Sequence, residues 1–543
     1  MTLKHGVHWF RQDLRLNNNP SLETLSKKVD KIIPIFILDP KQRIGSVSSW
    51  WLEKSLNSLN DAISKKKGKL NIFIGDPFDI ISLLISNENI EFISWNRLYD
   101  PQSIIRDTKI KSLLKSQNVD CETFNGYLLN EPWNIKNKTG TFYKVFTPYW
   151  RHCDELTRSK NFSKKKQNLK FSNTSFRNIK KLENLNLINK KLKWTNKIQN
   201  NWLPGENNAQ IQLKEFIVKK ANHYSIGRDR PDQNLTSKLS PYLHFGEISP
   251  FQIYKEVSLS KNINTENKKK FLAELGWRDF SYNLLFHYPD MTKNPIQNKF
   301  NKFPWLKDSK NLKKWQKGFT GIPIVDAGMR QLYKTGWMHN RVRMIVGSFL
   351  TKNLLIHWKY GEEWFFDTLV DADIGSNSAG WQWISGCGAD ASPYFRIFNP
   401  ILQGQKFDPK GNYVKKYIPE LHNVTDKYIH NPWEMSEENQ NQVTEEVEEA
   451  TEANSNEVVE VEWEEVEELL KVRKRLSEVD LTLSSMMLEF EKKKQSLLTE
   501  NFRLREYMYQ LGEQLRDQKN INATHTYELK LPSTGKKIKY RPF

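Results

Sequence analysis

Residues 31–39 read KIIPIFILD. A run this short, rich in β-branched residues and closed by Asp39-Pro40, is a buried strand rather than a helix. Its neighbours repeat the theme. GVHWF (6–10), LNIFIG (70–75) and IEFISW (90–95) are further short apolar runs. Between them, SSWWLEKSLNSLNDAISKK (48–66) and DPFDIISLLISN (76–87) space their apolar residues at the helical period. Strands that are apolar along their whole length are covered on both faces, which means a parallel sheet with helices above and below. Residues 1–130 are therefore expected to form an α/β doubly wound parallel sheet. Such sheets bind ligands beyond the carboxyl ends of their strands.

Outward from this sheet the texture changes. Residues 131–201 are rich in Lys and Asn with little periodicity, and read as a connecting segment on the surface. From 202 to 433 helical patterns dominate. FLAELGWRDFSYNLLFHY (271–288) and TGWMHNRVRMIVGSFLTKNLLIHW (335–358) predict buried helices of an all-α domain. Residues 434–461 are an acidic linker, part of a stretch (434–470) with fifteen Glu and no Lys, Arg or Asp. Over 462–519 a strict heptad appears: Leu469, Leu476, Leu483, Phe490, Leu497, Leu504 and Leu511. It predicts a coiled-coil helix for self-association or for a partner helix. The end, 520–543, alternates around a Pro-Ser-Thr-Gly turn and predicts a β-hairpin.

Composition narrows the function class. The 543 residues contain no apolar run long enough to span a membrane. The first residues lack a signal-peptide pattern. Cys121, Cys153 and Cys387 are far apart with no CxxC pair, which fits a reducing compartment, so a cytoplasmic protein is expected. No HExxH and no Cys/His cluster is present, and no metal is expected. Residues 1–433 hold 67 Lys and Arg against 39 Asp and Glu, a net +28, whereas 434–543 carry 16 against 24. A body this basic suits a polyanionic partner, although a lysine-rich solvated surface reads the same way.

Two segments invite chemistry. Thr236-Ser237-Lys238-Leu239-Ser240 sets three hydroxyls and an amine before the helical SPYLHF. Taken alone it is a capping string; it also has the donors a pyrophosphate needs at a helix entrance. DADIGSNSAGWQW (371–383) puts two carboxylates, an amide and two indoles within thirteen residues. These segments, with WFRQDLRL (9–16), ELGWRDF (274–280), WMHNRVRM (337–344) and DASPYFRIFNP (390–400), occur in the order found in one family. The chain resembles the photolyases and cryptochromes over roughly residues 3–433, and within them the class I photolyases that repair cyclobutane pyrimidine dimers.

That resemblance implies a role for each segment. The α/β domain would be the antenna domain and 202–433 the FAD-binding domain. FAD, in its fully reduced anionic form, would be held by Tyr224, Arg228, Thr236, Ser237, Lys238, Leu239, Ser240, Asn340, Arg343, Asp371, Ala372, Asp373 and Asn377. Asp371 would pair with Arg343 beside the isoalloxazine, Asp373 would accept a hydrogen bond from the ring, and Asn377 would face flavin N5. Trp381, Trp358 and Trp305 would pass electrons between flavin and surface. A flipped-out dimer would lie between Trp277 and Trp383, with Glu274 on its bases and Met344 at its side. Arg278, Asn340 and Arg341 would face the UV-damaged DNA, single- or double-stranded. Excited FAD would then give one electron to the dimer, both ring bonds would split, and the electron would return.

The resemblance leaves three matters open. A second antenna chromophore, a folate or an 8-hydroxy-5-deazaflavin, would contact NRLYDPQSIIRD (96–107) with Asp100 as its polar partner, yet His244 stands where a deazaflavin binder is expected to carry Lys. The tail has no counterpart in ordinary photolyases, so a cryptochrome-like blue-light photoreceptor signalling through the coiled coil is the alternative. Repair of the (6-4) photoproduct leans on two active-site histidines; only His339 is near the pocket motifs.

Overall fold

The structure, a computed structural model, describes residues 4–87, 90–160, 168–176, 178–188, 194–390, 397–436, 527–530 and 537–540. The four apolar runs form β1 (His5–Phe10), β2 (Lys31–Leu38), β3 (Asn71–Ile74) and β4 (Phe92–Asn96). A fifth strand, β5 (Asp120–Phe124), has no apolar run to announce it: DCETF is half-buried and has one neighbour. The strand order is β3-β2-β1-β4-β5, with every pairing parallel. The order reverses between β1 and β4, as the doubly wound pattern requires.

Helices α1 (Pro20–Lys28), α2 (Ser46–Ser64), α3 (Pro77–Asn87) and α4 (Pro101–Ser116) cross over between the strands. α1 and α4 start alike: proline fixes the first turn, and the Asx side chain before it accepts one of that turn's unpaired N–H groups. Asn19 accepts from Leu22 N–H at 3.2 Å and Asp100 from Ser103 N–H at 2.9 Å. Asp100, expected as an antenna contact, thus has one oxygen committed to a helix entrance.

The connecting segment is not all surface. Its residues Phe146–Arg158 form α5, which buries Phe146, Tyr149, Cys153 and Thr157. This stripe packs on the helix Thr265–His287 of the helical half and shares an apolar cluster with it. Four buried positions among polar neighbours are too sparse to stand out in a Lys- and Asn-rich stretch.

The helical half contributes α6 (Ser240–His244), α7 (Thr265–His287), α8 (Ser309–Lys317), α9 (Asn340–Ser348), α10 (Trp358–Thr368) and α11 (Ile374–Ser385). The single helix expected over 335–358 is broken. α9 ends in a wide π turn at Phe349–Asn353, and Leu355 takes a left-handed φ of +52° before α10 starts. His357 caps α10, its Nδ1 accepting from Lys359 N–H at 3.1 Å. Apolar residues continue through the break, from buried Leu350 to Leu354, Leu355 and buried Ile356, so periodicity gave no warning.

WFRQDLRL proves to be the seam between sheet and helices. Leu14 N–H donates to Phe245 O, and the Arg15 guanidinium donates to the carbonyls of Gly246 and Gly126, both at 2.8 Å. Gly246 has a φ of +65°, and a Cβ there would stand 2.0 Å from Gln12 O. Next to it, buried Glu247 accepts from Trp51 Nε1 (3.1 Å) and Gly205 N–H (2.6 Å). Burial pushes its pKa from 4.5 up to about 8, against those hydrogen bonds. The native state therefore holds a proton that the unfolded chain has lost, and stability falls as pH rises through this window. Glu247→Gln is expected to remove about 2–4 kcal/mol of that pH dependence in urea unfolding measured between pH 5 and pH 8, roughly the window of the shift.

At the far end, β6 (Tyr527–Lys530) and β7 (Lys537–Tyr540) pair antiparallel, Leu529 facing Ile538, as the alternating pattern of 520–543 predicts. The heptad of 462–519 and nearly all of the acidic linker lie outside the described residues. Among the described residues, no helix is long and apolar enough to cross a membrane.

Candidate functional site

The two aspartates of DADIGSNSAGWQW do different things. Asp371 is buried, and the Arg343 guanidinium donates to both its oxygens at 2.9 and 3.1 Å. The Ser240 hydroxyl donates to the same carboxylate at 2.6 Å. One carboxylate so ties together the start of α6, α9 and the approach to α11. A buried charge needs such a set of partners.

Asp373 caps α11, accepting from Ser376 N–H at 2.7 Å. Its other oxygen accepts from the hydroxyls of Tyr282 (2.6 Å) and Tyr127 (2.8 Å), with His244 Nδ1 at 3.6 Å. The hydrogen bond expected from a cofactor ring finds this carboxylate already engaged on both oxygens. Burial alone would raise its pKa, but His244, Arg278 and the Tyr282 hydroxyl outweigh burial and hold it well below the usual range. Asp373 is an ionised joint between the α/β half and the helical half.

α7 carries Glu274, Trp277 and Arg278. Arg228 donates to Glu274 at 2.5 Å, which joins a residue expected at the cofactor to one expected at the DNA. Burial raises the Glu274 pKa, and Arg228 acts against it. Trp277 lies flat on Phe146 of α5, with ring centroids 3.7 Å apart and 8° between planes. Arg278 does not face outward with them. Its guanidinium donates to Tyr127 O at 2.6 Å and stacks over the Tyr127 ring. Residues at i and i+4 share a helix face only to within tens of degrees, and here that offset turns Arg278 toward the α/β half.

On α9, Asn340 is exposed and Arg341 pairs with Asp229 at 2.5 Å while covering Phe407. The sulfur of half-buried Met344 is 3.7 Å from Arg341 Nη1. His339 is buried, its Nε2 has no protein partner, and burial pushes its pKa down to about 4, so it is neutral.

In the segment before α6, Lys238 has a left-handed φ of +52°, and its ammonium lies 5.7 Å from the Trp337 ring and 5.9 Å from Trp202. Leu239 and Tyr224 are buried, as is Ala372 between the aspartates. Thr236 and Ser237 are half-buried, and Ser237 O accepts from Gln212 at 2.8 Å.

Asn377 donates its amide to the Glu362 carbonyl (2.9 Å) and to Glu362 Oε1 (3.3 Å). Trp381 and Trp358 are buried in one apolar cluster, against which half-buried Trp305 and Trp383 pack. Between Trp358 and Trp305 stands His357, 5.5 Å from the first ring and 5.2 Å from the second.

Likeness to known proteins decides the family. Residues 6–168 match the DNA photolyase family model, and residues 271–469 match the model described as the FAD binding domain of DNA photolyase. The chain is 42% identical over 438 residues to a deoxyribodipyrimidine photo-lyase of Agrobacterium fabrum, covering 80% of this chain and 91% of that one. The chain belongs to the photolyase/cryptochrome family. It is also 35% identical over 447 residues to cryptochrome-2 of Arabidopsis thaliana, covering 79% of this chain and 73% of that one. Among solved structures it superposes with a TM-score of 0.77, at 41% identity, on a bacterial class III photolyase from Agrobacterium tumefaciens, over 82% of this chain and 92% of the other.

The residues of this photolyase-family site fit FAD. The hydroxyls of half-buried Thr236 and Ser237 and the Lys238 ammonium supply donors for phosphate, the Arg343–Asp371 pair offers a donor and an acceptor for the ring, and buried His339 Nε2 has no protein partner. Phe146, Tyr127, Tyr282, Asp229 and Glu362 do not stand out in the sequence. Each becomes visible only through a partner more than ten residues away. Glu362 alone left a trace, as an acid on the buried face of an aromatic helix.

Proposed function

We propose that this chain repairs cyclobutane pyrimidine dimers in UV-damaged DNA, driven by light. The observation that carries the proposal is the 42% identity to a deoxyribodipyrimidine photo-lyase over nearly all of that enzyme. Held by the residues around Arg343 and Asp371, FAD would supply light-driven one-electron chemistry.

The chain's own residues bind, orient and shield. Trp277, backed by Phe146, and Trp383 would sandwich a dimer swung out of the helix. Glu274, its pKa raised by burial, would hydrogen-bond the dimer's bases once Arg228 yields it. Glu362 takes the Asn377 amide protons, which leaves the Asn377 oxygen free to meet the cofactor without adding a charge beside it. Asp371 and Arg343 would brace the ring, while Asp373 stays with its tyrosines. Asn340 and Arg341 would meet the DNA backbone. A folate or deazaflavin antenna would sit at the carboxyl edge of the sheet near Asp100. The repair activity does not depend on class I membership, and the similar solved structure is described as class III.

The test is illumination of the photoreduced protein with an oligonucleotide carrying one thymine dimer. Recovery of nucleobase absorbance under light and none in the dark is expected. Glu274→Ala should weaken dimer binding about 3–10-fold, the worth of one hydrogen bond to a partly buried carboxyl. A second reading, a blue-light photoreceptor, draws on the 35% identity to cryptochrome-2. It gains the lead if reduced, FAD-loaded protein restores no absorbance.

A further inference from the structure

The ring ladder Trp358–His357–Trp305 reaches the surface at a patch of unusual composition. Residues 298–307, NKFNKFPWLK, contain three lysines and no acidic side chain. The nearest acid along the chain, Asp308, is occupied in capping α8, where it accepts from Asn311 N–H at 2.9 Å. Lys302 and Lys307 are exposed. They lie three and two residues from Trp305, so their backbones are within about 11 Å and about 7 Å of it.

Beside the half-buried indole are apolar side chains facing water: Phe303 at 37% exposure, Leu306 at 52% and Leu355 at 36%. Phe303 packs on Trp305 with ring centroids 4.5 Å apart. Leu306 N–H donates to Leu355 O at 2.8 Å, which fixes the two leucines to one another. Burial, then the charge of Lys359, lowers the His357 pKa, so the ring between the two indoles is neutral and adds no charge to the path.

An apolar centre around an oxidisable ring, with a cationic rim, has the character of a small, transient electron-transfer interface. We propose that this patch docks an acidic one-electron carrier protein, which returns an electron to Trp305. The inference rests on the Trp381–Trp358–Trp305 relay of the proposed function. In the step, the light-generated Trp305 radical cation gains one electron and becomes neutral tryptophan, the carrier's ferrous iron becomes ferric, and no proton moves. The apolar centre favours a protein over a small anion, which would need only the lysines.

The experiment uses the full chain with bound oxidised FAD. A flash generates the Trp305 radical, and its decay is followed with an acidic b-type ferrocytochrome, with basic ferrocytochrome c, or with ferrocyanide. The acidic carrier is expected to quench at least about tenfold faster than the basic one at low salt, the advantage shrinking once the screening length falls below about 10 Å. Lys302→Glu with Lys307→Glu should reverse that order, and Leu306→Ser should slow the acidic carrier while leaving ferrocyanide unchanged. Equal rates for the two cytochromes would overturn the docking surface, as would a charge effect confined to ferrocyanide. So would a parallel loss of undamaged-DNA binding in the lysine variants, which would make the patch a phosphate contact. Trp305→Phe separates the two levels: if the radical signal survives it, the relay itself is wrong.

Discussion

Arg343→Ala should cost about 3 kcal/mol of stability and leave the protein largely without FAD. The side chain of Asp371 is 4% exposed and takes three hydrogen bonds, two of them from Arg343. Removing the guanidinium leaves a buried carboxylate with one hydroxyl for company, and that desolvation is no longer offset. The effect sits toward the low end of the range for buried pairs because the Arg343 side chain is 22% exposed and water enters the gap. Urea unfolding and the flavin absorbance retained after gel filtration measure the two consequences. The double variant Arg343→Leu, Asp371→Asn should be more stable than Arg343→Ala, since both charges are then gone. If Arg343→Ala unfolds like the parent, the pair is a surface bridge and its place beside the cofactor is lost with it.

Trp277→Ala should lower the affinity for dimer-containing DNA about 5- to 150-fold and leave undamaged DNA nearly untouched. One face of this half-buried indole is covered by Phe146 at 3.7 Å, and in the proposed site the dimer would stack on the opposite face. Stacking of a base on an aromatic ring is worth about 1–3 kcal/mol, and that sets the range. Fluorescence anisotropy with matched damaged and undamaged oligonucleotides, at one fixed salt concentration, reads the ratio. Phe146→Leu should give a smaller loss, because the indole itself stays and only the stacked plane that holds it still is removed. Equal weakening on both oligonucleotides would place Trp277 away from the dimer.

The features legible in the sequence are those whose cause is local. β1 to β4 are apolar runs, and α2 and α3 lie where 48–66 and 76–87 show the helical spacing. The antiparallel pairing of 527–530 with 537–540 was announced by alternation. The site motifs were legible as well: Asp371, Arg343 and Ser240 stand out in their segments, and the three meet in the fold.

Other features have causes far along the chain. β5 is a strand because β4 offers it an edge, and α5 is a helix against α7 and not on its own account. The break between α9 and α10 is invisible to periodicity, which records burial and not the path that achieves it. The carboxylates show the division most clearly. Spacing two residues apart makes Asp371 and Asp373 look like a pair with one task, and the family resemblance gives both to the cofactor. In the fold Asp371 pairs with Arg343, as the resemblance implies, and takes Ser240 as well, whereas Asp373 goes to Tyr127 and Tyr282. By itself the sequence determined which segments are buried and which residue types converge. Only the fold decided that Asp373 is held by Tyr127 and Tyr282, because a buried charge takes the partner that packing brings within 3 Å, whatever its distance along the chain.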